Sequence, residues 1–345
     1  MDKQHSLVLV TGGTGFLGSY LLRLLVHSGY RVRALKRSSS RMDLVQEVAD
    51  RVKWVEGDVT DVVALEDAFS GVTHVMHCAA ISSFHPRDAW RLTNTNVDGT
   101  TNVVNIALEM GVQKLIHVSS IAAFGRAKER PRLDETSKWV QSSGNSRYAV
   151  SKYLSEQEVW RAHAEGLPVA IVSPSVILGS GFWDAGSPRF FTQIDQGLKF
   201  WPVGRSGFVD VRDVAQFMLH LLESDIDGER YILNAQNTPF RELFNLIAKE
   251  LGVPPPSIKI TPFLAEVAWR VEWLKEKLLG LEPVATKESA RSSVSEFYYD
   301  NDKSRSVFNF RYRPLEETVR ETAQQYREGK KEGGKAKVLG WSKIG

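Results

Sequence analysis

A chain of 345 residues that is 25% charged and 42% hydrophobic has the composition of an ordinary globular protein with enough apolar matter for a core, which excludes a minimal binding motif and a disordered chain. Its 44 basic and 41 acidic side chains leave a formal charge of only +3, mixed along the sequence, so no nucleic-acid partner is expected. Cys78 is the single cysteine, which excludes an internal disulfide and a Cys-rich metal site and fits a cytoplasmic location; the N-terminal apolar run is too short for a signal peptide, and no window approaches a membrane span.

Along the chain, short β-branched runs alternate with longer segments of helical period. Leu7 to Val10, Val32 to Leu35, Val52 to Val55, His74 to Met76, Lys114 to Val118 and Val169 to Val172 are predicted strands. Their near-continuous apolar character predicts an α/β fold, a doubly wound parallel sheet with helices on both faces, followed by a smaller C-terminal lobe. The sheet domain is expected over residues 1–175. Beyond Pro174, glycines and prolines punctuate an aromatic-rich stretch that opens a substrate lobe over residues 176–330. Helices are predicted near Phe240 to Leu251 and Phe263 to Leu279, separated by a rigid turn from Gly252 to Pro256. In the second, Phe263, Val267, Val271, Leu274 and Leu278 form an apolar stripe, expected to pack onto the rest of the protein rather than onto a membrane surface or a second subunit. The Lys- and Gly-rich sequence from Arg327 is expected to fray, with 331–345 a flexible tail.

The first strand runs straight into Thr11-Gly12-Gly13-Thr14-Gly15-Phe16-Leu17-Gly18, after which Leu21, Leu22, Leu24 and Leu25 give a helix its apolar face. Strand, glycine turn and helix in that order suit a dinucleotide. Residues without Cβ let the backbone approach a pyrophosphate, whose charge meets the positive end of the helix. Gly12, Gly13 and Gly15 are assigned to the turn, with Thr14, Phe16 and Leu17 alongside, and Gly18 to close helix–strand packing. The end of the second strand selects the nucleotide, because a carboxylate there accepts from a ribose 2′-OH whereas basic side chains accommodate a 2′-phosphate. Arg33-Ala34-Leu35-Lys36-Arg37-Ser38 holds no carboxylate, which favours NADP(H) over NAD(H), with Arg37, Lys36 and Arg33 facing the phosphate. Asp58, followed by Val59 after the third strand, is assigned either to the adenine amino group or to helix capping, a role open also to Thr60 and Asp61.

Tyr148-Ala149-Val150-Ser151-Lys152 places a phenol and an ammonium on one face of a helix. A nearby cation favours phenolate and lowers a tyrosine pKa from about 10 towards neutrality, which suits general acid–base work. Spacing alone does not single out this pair, since Tyr299/Lys303 and Tyr326/Lys330 repeat it. Position does. Only Tyr148 follows Lys114-Leu115-Ile116-His117-Val118-Ser119-Ser120, an apolar strand ending in hydroxyls at the edge where doubly wound sheets bind ligands. A serine there can hydrogen-bond a substrate carbonyl beside the tyrosine, with the lysine orienting the nicotinamide ribose.

Together these residues resemble the extended short-chain dehydrogenase/reductase family, also called the NAD-dependent epimerase/dehydratase family. The matching segments are the loop at 11–18, Asp58, His77-Cys78-Ala79-Ala80, Asn96 in its NTNVDGT segment, Ser119-Ser120, and Tyr148 with Lys152, joined by Pro174 to Gly179 and Phe208 to Ala215. The resemblance implies a Rossmann domain to which segments near 208–235 return, and a homodimer. Counting back from Phe124-Gly125, the family pattern puts the catalytic hydroxyl on Ser120 and leaves Ser119 to support the strand end. Asn96 is implied to position the lysine, with capping as its alternative. Ala79 and Ala80 would line the cofactor path, and Pro174 and Ser175 would lie near the nicotinamide. Cys78 reads as a buried apolar side chain, not a nucleophile.

Within the family, sugar-nucleotide dehydratases carry an acidic pair where this chain has Ile121 and Ala122, and epimerases usually show an acidic residue where it has Lys36. Dehydration is disfavoured and epimerisation is the second reading. Val32 to Arg37, Phe297 to Lys303 and Pro314 to Thr318 look like dihydroflavonol 4-reductase-like and 3β-hydroxysteroid dehydrogenase-like members. The expectation is an NADP(H)-dependent oxidoreductase that reduces a ketone or aldehyde, or oxidises the alcohol, of a small apolar or aromatic molecule, with Tyr148 as general acid/base and no metal. Phe84, Phe182, Trp183, Phe190 and Trp201 are candidate pocket aromatics, each with core packing as the equal alternative. A cofactor-sensing regulator on the same fold is the non-enzyme alternative, which Ser120, Tyr148 and Lys152 argue against.

Overall fold

The computed structural model describes residues 3, 5–125, 131–142, 144–279, 286–336 and 338–340. All six strands expected from the apolar runs are present. β1 (Leu7–Thr11), β2 (Arg31–Lys36), β3 (Val52–Glu56), β4 (His74–His77) and β5 (Lys114–Val118) alternate with α1 (Phe16–His27), α2 (Val62–Phe69), the one-turn α3 (Ala89–Leu92) and α4 (Gly99–Glu109). The short β6 (Arg132–Leu133) and α5 (Arg147–Ala164) lead to β7 (Val169–Pro174), which joins the sheet beside β5. Next come β8 (Val176–Leu178), α6 (Arg189–Asp195), β9 (Phe200–Pro202), β10 (Arg205–Asp210), α7 (Val211–Glu223), β11 (Glu229–Leu233), β12 (Gln236–Pro239) and α8 (Phe240–Leu251). The chain ends with β13 (Ile258–Ile260), α9 (Pro262–Leu279), α10 (Lys287–Ser293), β14 (Tyr298–Tyr299), α11 (Asp302–Val307) and α12 (Leu315–Lys331).

The main sheet has the order β11-β7-β5-β4-β1-β2-β3 and is parallel throughout, a doubly wound Rossmann fold. Apolar residues on alternate sides explain why its strands read as continuous hydrophobic runs. Val8, Val10, Ala34 and Met76 face the core under α1 and α7, while Leu7, Leu9, Leu35 and Val75 face the core under α2, α4 and α5. Strand order reverses at β1, whose neighbours are β4 and β2, so a crevice opens at its C-terminal end, where such sheets receive ligands. The last strand of the sheet, β11, arrives only after the chain has made an excursion through β8, α6, β9 and β10.

The second lobe packs α6, α8 and α12 on the sheet β12-β10-β8 around Phe191, Phe208, Leu243, Ile247 and Val319. Trp183 and Phe190 belong to this core rather than to a pocket, and Trp201 packs at its edge beneath Arg241. Two expectations are corrected here. The apolar stripe of α9 faces away from the protein: Phe263, Val267, Val271, Leu274 and Leu278 are all exposed. The chain from Arg327 does not fray, for α12 runs on to Lys331, and Leu339 is buried with its N–H donating to Tyr20 Oη at 2.9 Å. Residues 337 and 341–345 of the expected tail lie outside the described residues. No group of metal-ligating side chains is found among the described residues, and none of their helices is long and apolar enough to cross a membrane.

Candidate active site

Thr11 closes β1 by tying it to the end of β4, its Oγ1 lying 2.7 Å from His77 Nδ1 and accepting from the Ala79 N–H at 3.2 Å. The next residue, Gly12, has φ of +69°, and a Cβ there would fall 2.7 Å from the Ala79 nitrogen. A Cβ on Gly18 would fall 2.2 Å from the Gly12 carbonyl oxygen. Gly12 is thus needed for a left-handed backbone and Gly18 for α1 to rest on the turn. α1 begins at Phe16 after Gly15, and no side chain caps it. Its first N–H groups are therefore left for an anion, with the helix dipole behind them. Leu17 turns its side chain into the core, while Phe16 packs under the loop after β8, where a Cβ on Gly181 would meet its ring at 2.8 Å. Thr14 and Gly15 stay at the surface of the crevice. This cradle fits a dinucleotide: the backbone of Gly12 to Gly15 could hold a pyrophosphate, with Ala79 and the exposed Ala80 on the opposite wall.

The end of β2 divides the three expected phosphate cations. Ala34 lies against Gly13, so strand alternation puts Lys36 on the crevice side and Arg33 on the other. Arg33 is buried and donates to the carbonyls of Ala68 and Ser70 at 2.8 and 2.7 Å, closing the C-terminus of α2. It does not face the phosphate, contrary to expectation. Lys36 Nζ sits 3.6 Å from Glu56, and Arg37 is exposed in a turn where its N–H donates to Ser40 Oγ at 3.0 Å. Asp58 is occupied in a local turn, accepting from the Thr60 N–H and hydroxyl at 3.1 and 2.9 Å. Capping of α2 falls to Asp61, and Val59 is buried against Gly99. Arg33→Met is expected to cost about 2 kcal/mol by stranding two carbonyls while leaving NADPH affinity unchanged, as denaturant unfolding and a binding titration together would read.

Ser119 and Ser120 directly follow β5, and the two hydroxyls part company. Ser119 donates to Glu156 Oε2 at 2.5 Å, and Glu156 is in turn paired with Arg230 at 2.7 Å. Ser120 caps a 3₁₀ turn, accepting from the Ala122 N–H at 3.1 Å, and its hydroxyl, like that of Ser82, lies near enough to the Tyr148 phenol to favour its ionised form. Ser146 caps α5 through the Ala149 N–H at 3.1 Å, setting Tyr148 in the first turn and Lys152 one turn on. Lys152, 2% exposed, donates to the Val118 carbonyl at 2.8 Å. Asn96 sits in a π-helical turn (Thr93–Asp98) and clamps the segment after β4 to α5: its Oδ1 accepts from the Ile81 N–H at 2.7 Å, and its Nδ2 donates to Ile81 O and Ser151 Oγ at 3.0 and 2.9 Å. Among the described residues it bonds Lys152's neighbour, not Lys152. Pro174 ends β7 beside them, and the Ser175 N–H donates to Leu233 O at 2.9 Å. Of the five candidate aromatics only Phe84 meets the tyrosine, edge to face at 6.0 Å. Phe182 instead stacks on Arg41 at 3.9 Å.

Burial holds the Tyr148 phenol above its ordinary pKa, with the hydroxyls of Ser120 and Ser82 opposing that rise. The expected lowering by Lys152 is not found, because the ammonium is directed at the Val118 carbonyl and desolvation dominates. The phenol therefore keeps its proton through neutral pH. Burial pushes Lys152 down to about 8, against the attraction of Glu156, and pushes the Cys78 thiol up to about 12, too high for a nucleophile. Unfolded, Lys152 holds its proton up to about 10.5, so between the two values the unfolded chain binds more protons and stability should rise with pH. The stability of Lys152→Met relative to wild type is accordingly expected to fall by on the order of 3 kcal/mol between pH 7 and pH 10, whatever constant cost the lost bond to Val118 adds. Denaturant unfolding at both pH values checks this; a gap that ignores pH would trace it to packing. Two contributors were not foreseen. Glu156 lies one turn beyond Lys152 on the same helix face, a signal that was there to read; Ser82, in an irregular segment, carried none.

The pattern of the NAD dependent epimerase/dehydratase family matches residues 8–234, from β1 to just past β11. The chain is similar to a Synechocystis sp. protein named as a dihydroflavonol 4-reductase, with 32% identity over 316 residues, 86% of this chain and 87% of the relative. It is also similar to cinnamoyl-CoA reductase 1 of Oryza sativa subsp. japonica, with 29% identity over 311 residues, 85% of this chain and 90% of the relative. The crystal structure of gox2253 superposes with a TM-score of 0.80 at 32% identity, covering 94% of this chain and 98% of that one. A match that runs from the first strand of the sheet to the last, over a cradle shaped for a dinucleotide, leads to one conclusion: the chain belongs to the NAD dependent epimerase/dehydratase family, as an NAD(P)-dependent oxidoreductase of the extended short-chain dehydrogenase/reductase type.

Proposed function

We propose that this oxidoreductase uses NADP(H) to reduce a ketone or aldehyde, or to oxidise the corresponding alcohol, on a small apolar or aromatic molecule, with Tyr148 as the general acid/base. The observation that carries the proposal is the convergence of Tyr148, Ser120 and Lys152 at the C-terminal end of β5, with the Ser120 hydroxyl near enough to the phenol to favour its ionised form. A carbonyl oxygen seated between those hydroxyls accepts from both. As charge develops on it, Tyr148 gives up the proton that burial has kept on the phenol, and Ser120 holds the oxygen in place. The nicotinamide, when bound, supplies or takes the hydride. Lys152 spends one N–H on Val118 and has two left, one for the nicotinamide ribose and one for the phenolate that proton transfer leaves behind. Phe84 at the tyrosine supports an apolar or aromatic substrate, as do the relatives named for dihydroflavonol and cinnamoyl-CoA. The family likeness supports a homodimer in the cytoplasm, read by light scattering and cell fractionation.

The test is NADPH consumption over a panel of ketones, aldehydes and sugar nucleotides. Net oxidation with an apolar carbonyl is expected; sugar interconversion without net cofactor use would replace this reading with epimerisation. The preference for NADP(H) rests on Lys36 and Arg37 at the crevice end of β2. Arg37→Ser is expected to weaken NADPH binding about ten- to a hundredfold, the worth of a charge-assisted contact, and to leave NADH binding alone. Equal loss for both nucleotides would remove Arg37 from phosphate recognition.

A further inference from the structure

The outward stripe of α9 is used neither by the fold nor by the proposed chemistry. Each helical residue turns the direction of its side chain by about 100°, so Phe263, Leu264, Val267, Val271, Leu274 and Leu278 share an arc of about 100°. All six are exposed, Phe263 by 75% and Leu278 by 71%. The opposite side is the one that packs. Ala265 is buried there, and Glu276, only 13% exposed, pairs with Arg87 at 2.7 Å and His85 at 3.4 Å. The helix is inverted relative to an ordinary surface helix, with carboxylates towards the protein and hydrocarbon towards solvent.

Its cations lie on the borders of the stripe. Lys275 stands on one side, Arg270 and Lys277 on the other, all exposed. Their acidic neighbours, Glu272 paired with Lys275 at 2.8 Å and Glu266 paired with Arg270 at 2.7 Å, sit further back from the stripe. Lys277 lies 5.2 Å over the ring of Trp273, itself exposed. Hydrocarbon in the middle, Lys and Arg at both borders and acids behind is complementary to an anionic bilayer: the stripe sinks to the acyl boundary while the long cationic chains reach up to the phosphates.

The helix also packs on the segment that reaches the Tyr148 site. His85, on which Glu276 closes, follows Phe84, whose ring meets Tyr148. Glu288 of α10, which packs against α9, accepts from the Arg147 N–H at 3.0 Å, one residue before Tyr148.

We propose that α9 seats this protein on an anionic lipid surface and that the Tyr148 site draws its apolar carbonyl or alcohol from that bilayer. The second half rests on the oxidoreductase reading; the first does not. The full-length chain is to be co-sedimented with vesicles of phosphatidylcholine alone and with phosphatidylglycerol added. It should bind the anionic vesicles more tightly, and added salt should weaken that binding. Val271→Glu with Leu274→Glu should lower binding about tenfold or more. Arg270→Gln with Lys275→Gln and Lys277→Gln should lower it on the order of a hundredfold on anionic vesicles only. All five positions are exposed, so unchanged thermal unfolding should show both variants folded. No vesicle binding by wild type, binding indifferent to Val271→Glu/Leu274→Glu, or a solution dimer that this variant dissociates would overturn the docking proposal, the last by giving the stripe to a second copy. For the substrate, Val271→Glu/Leu274→Glu should keep turnover of a water-soluble ketone and lose turnover of a long-chain ketone held in vesicles, while Tyr148→Phe keeps vesicle binding. Equal turnover of the vesicle-held ketone by variant and wild type overturns delivery from the bilayer. Vesicle binding with no turnover of any carbonyl would instead sink the oxidoreductase reading and leave the docking in place.

Discussion

Tyr148→Phe is expected to bind NADPH as tightly as wild type and to reduce carbonyls about 10²- to 10⁴-fold more slowly, the range that a positioned proton donor contributes. The ring remains, so the contact with Phe84 and the packing of α5 are kept; only the hydroxyl beside Ser120 and Ser82 is lost. Ser120→Ala should fall less far in turnover, since the phenol still reaches the carbonyl, but it should cost about 10²-fold as one of two donors to the developing charge. Single-turnover rates with saturating cofactor separate the two effects from binding. Because burial holds the phenol above its ordinary pKa, reduction should show no loss of rate from tyrosine ionisation between pH 6 and the ordinary phenol value of about 10. Turnover of Tyr148→Phe within a factor of a few of wild type would remove the tyrosine from the chemistry.

Gly18→Ala should damage cofactor binding and stability together. The added methyl meets the Gly12 carbonyl oxygen at 2.2 Å, and the atom in the way is backbone, which cannot swing aside as a flexible side chain does. Either α1 lifts from the turn or the turn unwinds from Ala79, and both misalign the N–H groups at Phe16. A stability loss of about 1–3 kcal/mol is expected from overpacking, with NADPH affinity falling on the order of a hundredfold as charge-assisted bonds are lost. Gly15→Ala is the control: its Cβ would stand 3.2 Å from the same oxygen in an extended backbone, and the loss should be much smaller. Denaturant unfolding and a fluorescence titration read both numbers, and equal behaviour of the two variants would exclude the contact as the cause.

The glycine turn and six of the seven strands of the main sheet were legible because their signals are local: apolar runs long enough to cross a sheet, and a backbone that tolerates no Cβ. Arg33 shows a local signal left unread, since residues three apart on a strand face opposite ways and Arg33 and Lys36 could not both address one phosphate. The raised phenol of Tyr148 was beyond local reading, because the burial responsible is assembled from α5, the segment after β4 and the end of β5. Trp183 and Phe190 likewise needed Phe191, Phe244 and Tyr326 to be placed before they could be assigned to a core. Periodicity announced the stripe on α9 but is blind to which way a helix is rolled. The short strands β8, β9, β12, β13 and β14 went unseen because two to four residues, among them the polar Gln236 to Pro239, carry no pattern.

The late arrival of β11 has a bearing on synthesis. A nascent chain released as far as Ser175 exposes the outer edge of β7, with its row of unpaired amides and carbonyls, until more than fifty further residues have emerged to cover it. The nucleotide-binding half is therefore not an autonomous module that survives excision, and cutting the gene at residue 175 should yield a sticky, aggregation-prone fragment rather than a minimal dinucleotide binder.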